Sequence, residues 1–177
     1  MKVYVMRHGL TDWNLNNKIQ GQKDTELNEI GIQQAKDARE KFNSYNFDLI
    51  ICSPLKRAKS TAKIINQNKN VEILYNNLLI ERGLGDYEGL CALAEDDLLY
   101  NYHLNIRDKN VEPVVELYDR ISKLLNYIKD NLNDKKILLV THSETARAIE
   151  AYFYGIGKDG QLPPENLKNC EFREYTF

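Results

Sequence analysis

Short apolar runs alternate with amphipathic helical patterns along most of this chain. The runs over residues 2–6, 49–52 and 137–141 are almost continuously apolar and include β-branched residues. Such runs are typical of strands that are buried on both faces of a parallel sheet. Between them, apolar residues recur at helical spacing, most strongly over residues 113–131. The pattern therefore predicts parallel strands joined by helical crossovers.

The helical patterns also predict which faces are buried and where one helix begins. Ser53 is the predicted N-cap of the helix after the second strand, and Pro54 is its predicted first residue. Capping accounts for both residues, so no further role is predicted for them. The inward faces of the first and last helices are predicted to be Ile32, Ala35 and Phe42, and Ala146, Ile149 and Phe153.

The predicted fold class is α/β, specifically a three-layer α/β/α sandwich with a mostly parallel central sheet. Charged and apolar residues alternate over 171–177, which predicts an antiparallel strand at one edge of the sheet. No repeat or linker divides the sequence, so residues 1–177 are interpreted as a single domain. The glycine-, tyrosine- and acid-rich segment over about 82–112 is predicted to be a lid or insertion.

Composition excludes several classes of partner. The net charge is only −2 at pH 7, which gives no reason to expect nucleic acid or an anionic membrane. No apolar run is long enough to span a bilayer, and the first residues lack the features of a signal peptide. The three cysteines, Cys52, Cys91 and Cys170, lack metal-ligand spacing and are interpreted as reduced thiols. We therefore expect a soluble, cytoplasmic protein whose anion site, if any, is built from a few placed cations.

Two histidines and two arginines occupy matching places after predicted strands. Arg7 and His8 follow the first strand, Arg57 lies just after the second, and His142 follows the third. Taken singly, each has a structural explanation: a surface arginine, or a histidine satisfied by hydrogen bonds. Because the carboxyl ends of parallel strands meet at one edge of a sheet, we expect these residues to lie together. Guanidinium groups match phosphate oxygens, and imidazole supplies a nucleophile, so the set predicts a phosphoryl site.

Five motifs in order carry a resemblance to a known family. They are Arg7-His8-Gly9-x-Thr11-x-x-Asn14; Gln20-Gly21-Gln22-x-Asp24-x-x-Leu27-Asn28-x-x-Gly31-x-x-Gln34-Ala35; Ser53-Pro54-Leu55-x-Arg57-Ala58-x-x-Thr61-Ala62; Glu81 with Gly85-x-x-Glu88-Gly89; and Val140-Thr141-His142. With these motifs the sequence resembles the histidine phosphatase superfamily, also called the phosphoglycerate mutase-like proteins, over nearly the whole chain.

The resemblance implies a metal-independent mechanism through a phosphohistidine. His8 would be the nucleophile, and Glu81 would act first as general acid and then as general base. No cofactor or metal is implied, because arginine and imidazole supply the positive charge around the phosphoryl group. The catalytic residues implied are His8, Glu81, His142, Arg7 and Arg57, and the phosphate- or substrate-binding residues are Arg7, Asn14, Gly21, Arg57, His142 and Ser143.

One departure from the family pattern follows the second histidine. Many family members have glycine where this chain has Ser143-Glu144. Ser143 still supplies a backbone N–H, but Glu144 places a carboxylate close to the expected phosphate site. We hypothesise that Glu144 weakens the binding of multiply charged substrates unless its side chain turns to solvent.

The favoured function is hydrolysis of a small phosphorylated metabolite, which would be the only expected partner besides a second copy of the chain. Mutases of the family usually have His-Tyr-Gly after the acid and paired arginines in the insertion. Here Arg82 is followed by Gly83-Leu84-Gly85, and residues 90–112 contain only Arg107 and Lys109 as cations. Phosphoglycerate mutase-type transfer and, less favoured, a non-catalytic phospholigand-binding protein remain as alternatives. The chain could be a monomer or a homodimer.

Several side chains of the predicted lid could line the substrate pocket. Simple packing is the favoured explanation for most of the tyrosines, and a histidine such as His103 is more often a surface residue than a catalytic one. The candidates are Tyr87, Tyr100, Tyr102, His103 and Arg107.

Overall fold

A computed structural model describes residues 1–91, 101–164 and 167–177. Its helices and strands follow the alternation expected from the sequence. In chain order they are β1 (Lys2–Arg7), α1 (Asp12–Leu15), α2 (Glu29–Lys41), β2 (Leu49–Cys52), α3 (Lys56–Asn66), β3 (Ile73–Tyr75), α4 (Val114–Asn131), β4 (Ile137–Thr141), α5 (Ser143–Tyr154) and β5 (Phe172–Thr176).

The strands form one sheet in the order β3-β2-β4-β1-β5. The first four are parallel to one another, and β5 is antiparallel to β1 at the edge. The predicted mostly parallel sheet with an antiparallel edge strand is therefore confirmed. The sequence pattern did not single out β3, because three residues are too few to show a period.

Alternate residues of the strands face two separate helix layers. Val3 and Val5 of β1 pack in a core cluster with the inward faces of α4 and α5. Tyr4 and Met6 pack on the opposite side with residues of α2 and α3. Both clusters shield the sheet from water. Each fully buried aliphatic or aromatic side chain in them stabilises the folded state by about 1.5–3 kcal/mol. This confirms the three-layer α/β/α arrangement.

The predicted helix faces are mostly confirmed. The strongest predicted helix, 113–131, matches α4, and Ala146 and Ile149 are buried on α5. Ile32 is the exception, because 37% of its surface is exposed. The inward face of α2 consists instead of Gly31, Ala35 and Ala38, small residues that let the helix backbone lie close to its neighbours.

The predicted start of α3 is wrong. The helix begins at Lys56, its N-cap is Leu55, and no side chain caps it. Ser53 lies three residues before the first helical residue, and its hydroxyl instead contacts the ring of His142. A serine that follows a strand matches a capping signal in sequence, but here a tertiary contact occupies its side chain.

The described parts of the predicted lid, 82–91 and 101–112, are irregular and include short 3₁₀ turns at Gly85–Tyr87 and Tyr102–Leu104. Gly85 has φ +51°, and a Cβ there would lie 2.0 Å from the carbonyl oxygen of Lys109, so the glycine allows the two parts to touch. Tyr100 lies outside the described residues. None of the described helices combines the length and the apolar character that a membrane crossing requires.

Candidate active site

The register of the sheet brings the ends of β1, β4 and β2 together. Arg7 pairs with Thr141 and Cys52 pairs with Val140. The pairing of β1 with β4 continues one residue past the end of β1, since the backbone N–H of His8 donates to the Thr141 carbonyl at 3.0 Å. The rings of His8 and His142 lie 5.1 Å apart, centroid to centroid. The expected meeting of the strand ends is thus present.

His8 is held as a neutral ring with a defined tautomer. Its Nδ1 lies 2.7 Å from the carbonyl oxygen of Gly9, and because a carbonyl only accepts, Nδ1 carries the hydrogen. Nε2 therefore has a lone pair, which accepts from Nε of Arg57 at 3.2 Å. Burial, and then the charges of Arg57 and Arg7, lower the pKa of His8 well below 6.5. Nε2 is therefore the ring nitrogen that keeps a lone pair.

Gly9 lets the loop after β1 pack against the start of α2. A Cβ at Gly9 would lie 2.5 Å from the carbonyl oxygen of Gly31, and a Cβ at Gly31 would lie 2.1 Å from that of Leu10. The backbone N–H of Gly9 also donates to Oγ1 of Thr61 on α3, at 3.0 Å. These contacts fix the carbonyl that determines the His8 tautomer.

Arg57 is almost completely buried, and backbone carbonyls orient it. Its Nη1 donates to the Lys23 carbonyl at 2.6 Å, and its Nη2 donates to the Gly21 carbonyl at 2.7 Å. Burial lowers its pKa to about 10, so the side chain stays positively charged at neutral pH. Arg57 therefore presents a fixed cation beside Nε2 of His8.

Arg7 supplies the second cation from the end of β1. Its Nη1 donates to the Leu167 carbonyl at 2.9 Å. Its Nε is buried and has no hydrogen-bond partner among the described residues. Burial lowers the pKa of Arg7, and the charges of Glu81 and Glu144 oppose that shift. The unpartnered N–H is suited to an anionic oxygen at this place.

His142 begins α5 as its N-cap residue, with its ring fully buried. Nε2 lies 2.7 Å from Oγ of Ser53, whereas Nδ1 has no partner among the described residues. Burial, followed by the charge of Arg57, lowers the pKa of His142 well below 6.5. The ring is absent from the cavity lining and packs against the ring of His8.

Glu81 is held over the N-terminus of α5. Its Oε1 accepts from the backbone N–H groups of Arg82 and Thr145 at 3.0 and 3.1 Å. Its Oε2 accepts from the N–H of Glu144 at 3.3 Å. Free N–H groups at a helix N-terminus favour a carboxylate. Glu81 is 7% exposed and lines the cavity.

A second set of contacts fixes the backbone of Glu81. Arg120 on α4 donates to the carbonyls of Glu81 and Leu78 at 3.2 and 2.6 Å. Glu112 pairs with Arg120 at 2.7 Å and accepts from the N–H of Gly83 at 3.0 Å. Sequence reasoning missed this support, because Arg120 follows Glu81 by 39 residues and belongs to no motif.

Gly21 shapes the loop that holds Arg57. It has φ +48°, and a Cβ there would lie 2.1 Å from Oε1 of Glu88. The same Glu88 oxygen accepts from the N–H groups of Gln22 and Leu84 at 2.8 and 3.0 Å. Glu88 thus connects the Gly21 loop to the segment after Glu81, which gives a physical reason for Gly21 in the second motif and for Glu88 in the fourth.

The cavity at this place has a volume of about 150 Å³. Seven of the predicted site residues line it, and His142 is absent from the lining. Sequence reasoning assigned no site role to Lys18, Ile19, Gln20 and Leu84, although Gln20 stands in a motif and Lys18 and Ile19 directly precede it. The full lining is Arg7, His8, Asn14, Lys18, Ile19, Gln20, Gly21, Arg57, Glu81, Leu84, Ser143 and Glu144.

Glu144 does not turn to solvent. Its side chain is buried, lines the cavity and forms an ion pair with Arg147 on the next turn of α5 at 3.0 Å. Burial raises its pKa, and the charge of Arg147 opposes that shift. Arg147 therefore offsets much of the negative charge that Glu144 brings to the pocket.

The lid side chains predicted to line the pocket do not do so, as far as the structure describes them. Tyr87 donates to Asp108, and Arg107 pairs with Glu116. Tyr102 packs against Tyr118. The residues absent from the lining are Tyr87, Tyr102, His103 and Arg107, and Leu84 is the lid residue that is present.

Comparisons with known proteins agree with this geometry. The family model of the histidine phosphatase superfamily (branch 1) matches residues 3–177. The chain is 37% identical to a protein of Bacillus subtilis named uncharacterized phosphatase PhoE, over 97% of this chain and 89% of that protein. It is 33% identical to the probable phosphoglycerate mutase GpmB of Escherichia coli, over 100% and 85% of the two chains. The structure of mycobacterial glucosyl-3-phosphoglycerate phosphatase, complexed with VO₃, is similar with TM-score 0.86 and 25% identity, covering 98% of this chain and 91% of that one.

Proposed function

This chain belongs to the histidine phosphatase superfamily, branch 1, and from that premise we propose that the cavity beside His8 is its active site. Phosphatases of this family work through a phosphohistidine and need no metal ion. The enzyme hydrolyses small phosphate monoesters. The observation that carries the assignment is the hydrogen bond from Nδ1 of His8 to the Gly9 carbonyl, which leaves the Nε2 lone pair facing Nε of Arg57.

The first step transfers the phosphoryl group to the protein. Nε2 of His8 attacks phosphorus, the N–P bond forms, and the bond to the ester oxygen breaks. Glu81 gives its proton to the leaving oxygen, so the alcohol departs neutral. The Nδ1–H of His8 remains on the Gly9 carbonyl, which stabilises the positive charge that the ring gains.

The second step releases phosphate. The Glu81 carboxylate takes a proton from water as the water oxygen attacks phosphorus, and the N–P bond breaks. His8 regains its lone pair, and Glu81 is again protonated. In both steps Arg7, Arg57 and His142 stabilise the charge on the equatorial oxygens. Asn14, the Gly21 loop and the backbone N–H of Ser143 border the substrate.

The test is phosphate release from a panel of sugar, nucleoside and glycerate phosphates, measured with excess chelator. We expect hydrolysis in the wild type, no measurable hydrolysis in His8→Ala, and near-wild-type rates in His103→Ala. The last variant removes a histidine whose side chain does not line the cavity. Chelator-sensitive release, or release that survives in His8→Ala, would contradict the proposal.

Mutase-type transfer is the second candidate, because a relative is named a probable phosphoglycerate mutase. A mutase must retain a bisphosphorylated intermediate, which calls for cations in the insertion. The two cations of residues 101–112 are engaged elsewhere: Arg107 pairs with Glu116, and Lys109 lies over the Tyr87 ring. Hydrolysis is therefore favoured. If the protein, primed with the bisphosphate, isomerised a phosphoglycerate faster than it released phosphate, mutase-type transfer would become the favoured function.

A non-catalytic phospholigand-binding role is less favoured, since nucleophile, acid and cations are all in place. Acid-quenched wild-type protein incubated with substrate should carry a phosphohistidine that is absent from His8→Ala. Stoichiometric ligand binding without any trapped phosphoprotein would support the binding role.

We propose a cytoplasmic setting, a single domain with a lid or insertion at about 82–112, and no nucleic acid partner. The net charge of −2 and the free thiols Cys52, Cys91 and Cys170 support the setting. Strand β5 lies at the sheet edge, where a second copy could pair, so both monomer and homodimer are compatible. Light scattering of the purified protein distinguishes them.

A further inference from the structure

Ser53 and His142 form a hydrogen-bonded pair behind the phosphoryl site. Both side chains are 0% exposed, and Oγ of Ser53 lies 2.7 Å from Nε2 of His142. The pair connects the end of β2 to the end of β4. Helix capping does not explain the serine, because α3 begins at Lys56 without a side-chain cap.

The partners of the Ser53 hydroxyl determine which atom of the pair donates. A hydroxyl has one hydrogen to give and lone pairs to accept with. The backbone N–H of Leu55, 3.4 Å from Oγ, can only donate to it. Among the described residues, Nε2 of His142 is then the acceptor left for the Ser53 hydrogen. Since a buried hydroxyl hydrogen without an acceptor is costly, Nε2 is the ring nitrogen that we assign the lone pair.

The single proton of a neutral His142 ring then lies on Nδ1. The ring is neutral because burial and nearby positive charges, Arg57 first among them, lower its pKa well below 6.5. Nδ1 is buried and has no partner among the described residues. An N–H at this atom would meet a phosphoryl oxygen favourably, whereas the opposite tautomer would present a lone pair that repels it.

We infer that Ser53 is a positioning residue that fixes His142 as the Nδ1–H tautomer, so that His142 donates to a phosphoryl oxygen during transfer. The inference rests on the proposed function, since the acceptor is the phosphoryl group on or approaching His8. The centroid separation of 5.1 Å places the His142 ring next to the His8 ring, which would carry that group. Ser53 itself is absent from the cavity lining and acts through the ring.

Two-bond ¹H–¹⁵N spectra of protein labelled at histidine nitrogen read the tautomer directly. With only three histidines in the chain, His103→Ala and His142→Asn assign the signals. Wild type should show His142 protonated at Nδ1, and Ser53→Ala should shift the ring toward the Nε2–H form. Ser53→Cys, whose thiol is a weaker donor, should lie between them.

The same variants should lose transition-state stabilisation more than substrate binding. For Ser53→Ala we expect kcat to fall, and the inhibition constant of orthovanadate to rise, by about 10- to 100-fold, with KM changed little. Ser122→Ala is the matched control, because this half-buried serine lies on α4, away from the cavity. It should leave both the tautomer and the kinetics unchanged.

Two results would overturn the inference: an Nε2–H tautomer in the wild type, or an unchanged tautomer in Ser53→Ala. Neither depends on turnover, so this failure is distinguishable from failure of the proposed function. A general folding defect in Ser53→Ala would lower kcat but would also lower the melting temperature, which circular dichroism measures separately.

Discussion

The phosphoryl pocket and the described parts of residues 82–112 differ in what holds their side chains. In the pocket, His8 and Arg57 donate hydrogen bonds to backbone carbonyls, and Glu81 accepts hydrogen bonds from backbone N–H groups. These contacts come from separate strand ends, loops and helices. Each side chain is therefore oriented before any substrate arrives.

Several polar side chains in the described part of this segment instead make contacts at the surface, away from the cavity. Arg107 contacts Glu116, and Lys109 lies over the ring of Tyr87, whose hydroxyl donates to Asp108. Exposed pairs of this kind contribute about 0–1 kcal/mol, because solvent screens them and their side chains lose entropy. The pocket is therefore preorganised by the fold, whereas we expect the exposed side chains of Tyr87, Arg107, Asp108 and Lys109 to be replaceable with little effect on the chemistry.

The sharpest test of that contrast is Arg57→Lys, which keeps the charge but not the fork of donors. Lysine cannot reach the Gly21 and Lys23 carbonyls and the phosphoryl group together, so we expect kcat to fall by about 10²- to 10³-fold. Arg39→Lys, a conservative change on the partly exposed surface of α2, is the control. Steady-state kinetics with one good substrate measure both, and equal rates in the two variants would argue against a preorganised Arg57.

Glu81→Gln should have the next largest effect. We expect kcat for an alkyl phosphate to fall by about 10²-fold or more, because the leaving alkoxide loses its acid. With p-nitrophenyl phosphate, whose leaving group needs no proton, a burst of nitrophenol should remain and precede slow phosphate release. Stopped-flow absorbance measures the burst. Its absence would place Glu81 outside the acid–base role.

The buried histidines should make stability depend on pH. Folding lowers the pKa of both His8 and His142 well below 6.5, so the unfolded chain binds protons first as the pH falls. Their contribution is fully present above about pH 6.5 and is lost as the pH falls toward the lowered folded-state values. The melting temperature should drop over that window, and the drop should be shallower in His8→Asn. An equally steep drop in both proteins would contradict the effect.

Glu144→Gln should change substrate affinity by a smaller amount. Arg147 would lose its ion-pair partner beside the cavity, so the pocket would become more positive. We expect KM for a multiply charged phosphate to fall by about 2- to 5-fold, and KM for a monoester with a neutral alcohol to change less. Equal KM values for wild type and variant would refute the original hypothesis about Glu144.

Arg107→Gln and His103→Ala should have the smallest effect on kcat. Neither side chain lines the cavity, and the Arg107 ion pair is exposed. We expect kcat/KM within about 2-fold of wild type, since such surface pairs contribute little. A tenfold loss in either variant would show that this segment takes part in catalysis and would remove the contrast between the two regions.

The sequence alone determined the layers, the parallel sheet and the residues gathered at its carboxyl edge. It could do so because the spacing of apolar residues along the chain distinguishes strands from helices. The carboxyl ends of parallel strands also lie at the same edge of a sheet. His8, His142 and Arg57 were predicted to be neighbours for that reason, and the register of β1, β2 and β4 agrees.

Only the tertiary structure decided the contacts between residues far apart in the chain. The Ser53 side chain contacts His142 rather than capping α3, and Arg120 supports the backbone of Glu81. A local sequence pattern indicates only whether one segment is a helix or a strand and which of its faces is buried. The direction of a buried side chain depends instead on which donors and acceptors the packing of other elements places around it.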